Sequence, residues 1–397
     1  MKSIKILLIT NSNSLEYDSM EKGFSESAQY GYDICLKDKE YIIDRLSVSL
    51  EIFDINKHLN FKDGINSLFE SKNEYALIVG AAQSSYTREM LNNSRLKNIA
   101  IFSPLSTATF LLNTTIDNEL DNFFQTTAYD QKRVKFLMNQ LLSTHQNKKI
   151  FYYYSDESPN TYSGGLKNDL EEYLLNSPII NYEGNPIKTS SQLISKFPDK
   201  GCPVVICTGS QKALAVAKKL EERKLNNPIF TFGSNSALLN KSLIGTTVVC
   251  DLDRDIYNDF VQKHLQNLKK LTSDPSISTV LTFKIIMKAI KELQDDILNS
   301  RDIEKVRRII IDYVNDNHFD IDTQTISFSK NGYSTINDII LLRIGGIIKP
   351  KFIPYKKSIF WNFSLMKSGI IITVLGVIYS IIKFADTIIS LISNIFN

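Results

Sequence analysis

Short apolar runs alternate with amphipathic stretches along most of this chain. Runs at 4–10, 48–55, 76–79 and 99–102 have strand length, and largely apolar runs suit strands covered on both faces. Helical periodicity lies between them, near 20–30 and over 61–71, and again over 129–142. The alternation resumes with strands at 149–154, 179–182, 203–207 and 228–232, a helix over 211–224, and amphipathic helices over 255–270 and 278–298. Such regular alternation predicts an α/β fold with parallel, doubly wound sheets.

The stretch from Ala76 to Thr107 organises the rest. Strand 76–79 leads into Gly80, Ala81 and Ala82, small residues that let the backbone turn tightly. Ser84 or Ser85 is placed to cap the helix that follows, its hydroxyl accepting from an otherwise unpaired N–H. Such a helix start offers free N–H groups and the positive end of the dipole to an anion. Strand 99–102 ends in Ser103-Pro104-Leu105-Ser106-Thr107. Two parallel strands thus end in hydroxyl-rich loops on the edge where open α/β sheets bind ligands. Ser and Thr after strands are also ordinary caps and turn formers.

VGAAQSSYT followed by SPLSTAT resembles the type I periplasmic binding proteins, in particular the branched-chain amino-acid-binding branch and its receptor relatives. Later segments match in the same order. FFQTT with Asp130 resembles the passage from first lobe to second, and YSGGL at 162–166 the start of the second lobe's first helix. Residues 247–251 resemble the return, and FKIIMKAIKEL from Phe283 the helix near it. Residues 325–328, Asn331-Gly332 and 336–347 resemble the closing strand pair. The resemblance spans roughly residues 3–348 and rests on order and local pattern, without an invariant catalytic motif.

It implies two doubly wound parallel sheets joined by a three-strand hinge, within a domain of residues 1–348. Lobe one takes about 1–125 and 252–324, and lobe two about 126–251 and 325–348. It also implies that Ser84, with Ser85 beside it, Leu105 through its backbone and Thr107 grip a ligand's carboxylate. Tyr162 then covers the ligand from the second lobe. In the amino-acid binders a second-lobe acid holds the ligand's ammonium. The matching loop here, Gly233-Ser234-Asn235, has no acid and leaves Ser234 as its polar contact. A buried ammonium without a charged partner is costly. Lys284 likewise stands where relatives carry an acid. The expected ligand is small and polar or anionic: an amino acid held differently, or another anion. The remaining alternative is a fold used without a ligand.

Composition narrows the function classes. The chain has 397 residues, 43% hydrophobic and 22% charged, with a net charge of +3. Its first 340 residues lack the basic, aromatic-interleaved stripe of a nucleic-acid binder. His58, His145, His264 and His318 share no loop, and no nucleophile elbow, phosphate loop or metal-ligand spacing occurs. No catalytic residue, metal or cofactor is therefore expected. Cys35, Cys202, Cys207 and Cys250 show no disulfide spacing, which suits a reducing compartment. The start, MKSIKILLITNSNS, has an apolar run only from Ile6 to Ile9 and reads as the first strand, not an export signal.

Beyond 348 the pattern changes. Lys349, Lys351, Lys356, Lys357 and Lys367 make 349–367 a basic linker stiffened by Pro350 and Pro354. Tyr355, Phe360, Trp361 and Phe363 lie in it, as aromatic residues do at membrane interfaces. An apolar segment over 369–396 follows; as a helix it is about 42 Å long, enough to span a bilayer. Residues 368–397 are therefore expected to form a transmembrane helix. Gly369, Thr373, Gly376, Ser380, Lys383, Thr387, Ser390 and Asn394 recur at spacings of four and three and make one small or polar stripe. Three uses are open: a plain anchor, a self-associating or pore-lining helix, and a helix lying in the interface. The lysines precede the span, and the positive-inside bias puts the lobes in the cytoplasm.

The sequence thus predicts a single-pass membrane protein whose cytoplasmic ligand sensor controls association of its membrane helices. Its partners are lipid, a small polar or anionic ligand and further copies of itself, with membrane-permeabilising bacterial defence effectors as an analogy. The alternatives are a tethered solute-binding protein of a transporter and a non-binding scaffold.

Overall fold

The computed structural model describes residues 2–11, 18–58, 60–70, 75–145, 148–177, 181–188, 193–224, 226–232, 247–250, 277–322, 324–334, 340–343 and 351–353. Residues 1–137 and 147–354 form one compact unit. Its first sheet contains β1 (Lys2–Thr10), β2 (Leu46–Asp54), β3 (Tyr75–Val79), β4 (Ala100–Ser103) and β5 (Phe123–Gln125). All neighbours pair in parallel, in the order β2-β1-β3-β4-β5. Helices α1 (Asp18–Lys37), α2 (Phe61–Glu70), α3 (Ser84–Leu91) and α4 (Phe110–Asp117) fall between or after these strands.

The runs 6–9 of β1, 76–79 of β3 and 100–102 of β4 are apolar because both faces are covered. Ile6, Leu8, Val79, Phe102 and Phe124 enter one core with Phe24 of α1. Leu7, Ile9, Ile78, Ile101 and Phe123 enter the other, with Ile65, Met90 and Leu111 from α2, α3 and α4. Successive residues alternate between the two cores, as the strand period of two requires. Each fully buried Ile or Phe contributes roughly 1.5–3 kcal/mol.

The second sheet takes its parallel strands from β6 (Ile150–Tyr154), β7 (Tyr182–Pro186), β8 (Val204–Cys207), β9 (Ile229–Phe232) and β10 (Thr247–Cys250). Before and between them lie α5 (Asp130–Thr144), α6 (Tyr162–Leu175) and α7 (Ser210–Glu222). After β10 come α8 (Ile277–Glu292), α9 (Gln294–Asn299), α10 (Ile303–Asp316), β11 (Phe319–Ile321), β12 (Gln324–Ile326), β13 (Ile340–Arg343) and β14 (Lys351–Ile353). The sheet order is β14-β13-β10-β9-β8-β6-β7, with β13 and β14 antiparallel to their neighbours.

Several expectations need correction. Of the strand expected at 179–182, residues 179 and 180 lie outside the described residues; β7 runs over Tyr182–Pro186, an edge strand on which Gly184 and Pro186 are tolerated. The helix expected over 278–298 is two helices that meet at Leu293, and Leu293 and Ile297 enter the same core. Among the described residues of 325–328 and 336–347, β12 pairs with β11, whereas β13 lies between β10 and β14. Residues 247–250 form a full strand of the second sheet, so any return to the first lobe lies between 250 and 277, outside the described residues. Residues 351–353, read as linker, form β14. Helix α10 was not anticipated, although Asp302 caps it through Lys305 N–H at 2.7 Å and Val306, Ile310 and Val314 line one buried face.

The helix expected at 255–270, the loop bearing Ser234 and the whole of 368–397, with its stripe from Gly369 to Asn394, lie outside the described residues. Among the described residues, no helix is long and apolar enough to cross a membrane.

The two sheets do not have separate cores throughout. Ile277 and Val280, at the start of α8, join the second sheet's core with Phe151, Val204 and Ile206. From Leu281 onward α8 belongs to the first core. Ile34 of α1 packs against both.

Candidate ligand-binding site

The carboxyl ends of β1, β3 and β4 gather the loops that the sequence singled out. Gly80 has φ of +126°, and a Cβ there would lie 2.7 Å from the Ile9 carbonyl, so the turn passes close against β1. Its N–H donates to the Phe102 carbonyl at 2.9 Å. The N-cap of α3 is Gln83, with no side-chain cap bond, which corrects the capping role expected of Ser84 or Ser85. Both serines are inside the first turn, Ser84 buried and Ser85 half-buried. A first-turn N–H has no acceptor within its own helix.

Two buried hydroxyls lock this loop to the next one. Thr87 Oγ1 lies 2.7 Å from Ser106 Oγ, which donates to the Ala81 carbonyl at 3.0 Å. The 80–84 and 103–107 loops are thereby held side by side. Leu105 is half-buried against the first core, and Thr107 is buried, its carbonyl accepting from Asp130 N–H at 2.7 Å.

The second lobe presents its own hydroxyl group. Thr208 Oγ1, after β8, lies 2.7 Å from Ser155 Oγ, after β6, and 3.4 Å from Ser163 Oγ. Thr161 caps α6 through Gly164 N–H at 3.2 Å. Tyr162 is the first residue of α6, and its hydroxyl donates to the Phe232 carbonyl at 3.2 Å. Burial, then the nearby Asp130 carboxylate, raises its phenol pKa.

Side chains that sequence reasoning missed join the lobes. Thr109 Oγ1 donates to Asp169 Oδ2 on α6 at 2.7 Å and accepts from Gln131 N–H at 3.0 Å. Beside it, Phe110 lies against Gly165, 3.4 Å from where a Cβ would stand. Asp130 and Arg133 form an ion pair at 3.2 Å with side chains 0% and 2% exposed. Burial first, and Asp130 second, pushes the Asp169 carboxyl up to about 7.

In the first lobe, Glu21 accepts from Asn11 N–H at 3.2 Å and from the Gln83 amide at 3.4 Å. Burial pushes its carboxyl up to about 7 against these bonds. The acid spacing in α6 looks like an ordinary solvated face, and Glu21 sits in a short polar run, so neither carried a signal. Among the described residues, no cluster of His, Cys, Asp and Glu is placed to hold a metal.

The arrangement of two largely parallel sheets has counterparts among solved structures. A substrate-binding protein of an ABC transporter from Desulfitobacterium hafniense in complex with leucine superposes with a TM-score of 0.64 at 14% identity, over 89% of this chain and 100% of that one. The fold is that of the type I periplasmic binding proteins. A branched-chain amino acid transporter substrate-binding protein from Streptococcus pneumoniae, bound to isoleucine, has a TM-score of 0.67 at 13% identity, over 89% and 99%. A solute-binding protein from R. palustris in complex with benzoate has a TM-score of 0.65 at 13% identity, over 90% and 98%. No family profile and no curated relative matches the chain. The loops at 80–84 and 103–107 follow the carboxyl ends of β3 and β4, the edge at which open α/β sheets bind ligands.

Proposed function

We propose that the protein binds a small carboxylate-bearing ligand between its lobes. The observation that carries this reading is the locked pair of loops at the first sheet's edge, where Thr87 and Ser106 hold 80–84 beside 103–107. Ser84, Thr107 and the first-turn N–H groups of α3 suit an anion, with Ser85 and Leu105 beside them. The neighbours' ligands leucine, isoleucine and benzoate are all carboxylates, and benzoate has no ammonium. Burial pushes the Glu21 and Asp169 carboxyls up to about 7, which makes both weak countercharges for an ammonium. A ligand without an amine therefore fits as well as one with it. Tyr162 serves from the second lobe by holding the end of β9. The reading is of binding rather than catalysis, in keeping with neighbours that are substrate-binding proteins.

The same proposal extends to the tail. The apolar composition of 368–397, preceded by lysines at 349–367, supports a membrane helix with the lobes on the cytoplasmic side. Lobe closure would then bias how these helices associate through the stripe from Gly369 to Asn394. The second reading, a tethered solute-binding protein outside the cytoplasm, is favoured by the transporter-associated neighbours.

Thermal unfolding of the full chain tests ligand binding, with leucine, isoleucine and benzoate set against leucinamide and benzamide. A carboxylate-dependent rise in midpoint, lost in Thr107→Val and Ser84→Ala, is expected. Equal response to acids and amides, or to none of them, removes the carboxylate reading. Protease accessibility of the lobes in intact and lysed cells separates the two sides of the membrane.

A further inference from the structure

Ser103 and Gln125 stand opposite each other at the carboxyl ends of β4 and β5. Two residues earlier, Ile101 and Phe123 both enter the core shared with α2, α3 and α4. The strand period therefore points Ser103 and Gln125 to that same face. Tyr333 bridges Gln125 from the other side, with its ring edge-on to Phe123 and Tyr129. The Gln125 amide donates to the Thr127 carbonyl at 3.1 Å, which fixes the amide and leaves Oε1 as its acceptor. Ser103 and Gln125 are 0% exposed, and Thr127 is 4% exposed. Yet Ser103 Oγ, Gln125 Oε1 and Thr127 Oγ1 have no hydrogen-bond partner among the described residues. Buried polar atoms are seldom left so, because their lost hydration is then returned by nothing. Ser103 is paired with Gln125 across β4 and β5, and Thr127 is tied to the Gln125 amide through its carbonyl, so the three residues are neighbours at the end of the first sheet.

We propose that Ser103, Gln125 and Thr127 form a buried polar site for one hydroxyl-bearing guest, either a water molecule or the hydroxyl of a ligand. Gln125 Oε1 only accepts, so the guest must donate to it, while the Ser103 and Thr127 hydroxyls can donate back to the guest's oxygen. A carboxylate brings no proton for Gln125, and an apolar group satisfies none of the three. The site is thus chemically distinct from the anion-suited positions Ser84 and Thr107 and the first-turn N–H groups of α3. Its ligand form rests on the lobe-closing ligand proposed above; its water form does not.

The sign of a stability change tests the site. Ser103→Ala and Thr127→Val remove hydroxyls with little change of shape. With a guest present, each deletes a hydrogen bond that is made, and the folding constant of the full chain falls about 3- to 10-fold in chemical denaturation. With no guest, each deletes only a buried, unanswered hydroxyl, and stability is unchanged or higher, which overturns the proposal. Unfolding in guanidinium, dialysis and refolding then separate the two sources. Water returns and the loss persists; a ligand does not return, the loss disappears, and the released compound is found by mass spectrometry. A crystal structure at high resolution supplies a second readout: density within hydrogen-bond reach of all three side chains is expected, and a packed corner without it sinks the proposal.

Discussion

The Thr109 hydroxyl of the first lobe donates a 2.7 Å hydrogen bond to the Asp169 carboxylate of the second and accepts a 3.0 Å bond from Gln131 N–H. One side chain thereby joins the head of α4, the start of α5 and the middle of α6. Thr109→Val keeps the shape and removes both bonds. A hydrogen bond to a charged group is worth about 1.5–3 kcal/mol. The Gln131 amide should then exchange with deuterium at least tenfold faster in Thr109→Val, with Thr109→Ser restoring protection and amides in β6 unaffected. Equal exchange in all three proteins would show that Thr109 does not hold the start of α5.

Glu21 and Asp169 make stability depend on pH in the direction opposite to most surface carboxylates. Their folded values are pushed up to about 7, from ordinary values of 4.5 and 3.8. Between the ordinary and folded values the folded state holds more protons than the unfolded one. These groups therefore weaken the fold as pH rises from about 4 to 7, and the loss is constant above that. Glu21→Gln should match wild type near pH 4 and exceed it by up to roughly 3 kcal/mol at pH 8. Denaturation midpoints across that range check it; a constant difference between the two proteins refutes the assignment.

Gly80 and Gly332 are fixed by their surroundings. Both have positive φ, +126° and +76°, and an added Cβ would lie 2.7 Å from the Ile9 carbonyl and 1.5 Å from the Phe123 carbonyl. Alanine at either position should cost more than about 1 kcal/mol, with Gly332→Ala the worse. Thermal midpoints provide the comparison, and the alanine with open space beside it would be the one that melts near wild type.

Lys284 is nearly buried, and both Asp322 oxygens accept from its ammonium, at 2.8 and 2.6 Å. The cation noted in the sequence thus has its partner in the first lobe, away from the loops proposed to hold ligand. Asp322→Asn leaves the ammonium without countercharge and should cost about 3 kcal/mol. Lys284→Met combined with Asp322→Asn should recover most of that loss. Chemical denaturation of the two variants decides, since a double variant no better than the single one means the pair is not coupled.

The strands of the first sheet were legible because 76–79 and 99–102 are short, apolar and bounded by small or hydroxyl residues. That signal survives in β3 and β4, shifted by one residue. The edge strand β7 carries Gly184, Asn185 and Pro186 and has no apolar run to announce it. Helix α10 has its signal in the Asp302 cap and the spacing of Val306, Ile310 and Val314. The locked loops at 80–84 and 103–107 contain the residues that the sequence named, whereas the contacts made by Thr109, Asp130, Arg133 and Asp169 were not visible. Asp130 and Arg133, three apart on α5, have the spacing of an ordinary solvated pair, yet their side chains are 0% and 2% exposed in the fold. Periodicity reports which face of an element is apolar, not which polar side chains another element will cover.

The division of α8 between two cores constrains what heat can do to the molecule. Its opening residues Ile277 and Val280 belong to one core and Leu281 through Leu293 to the other, while Ile34 touches both. Neither core can melt without stripping contacts from the other. Calorimetry would then register a single endotherm for the lobes, and a lesion in either would lower the same melting temperature.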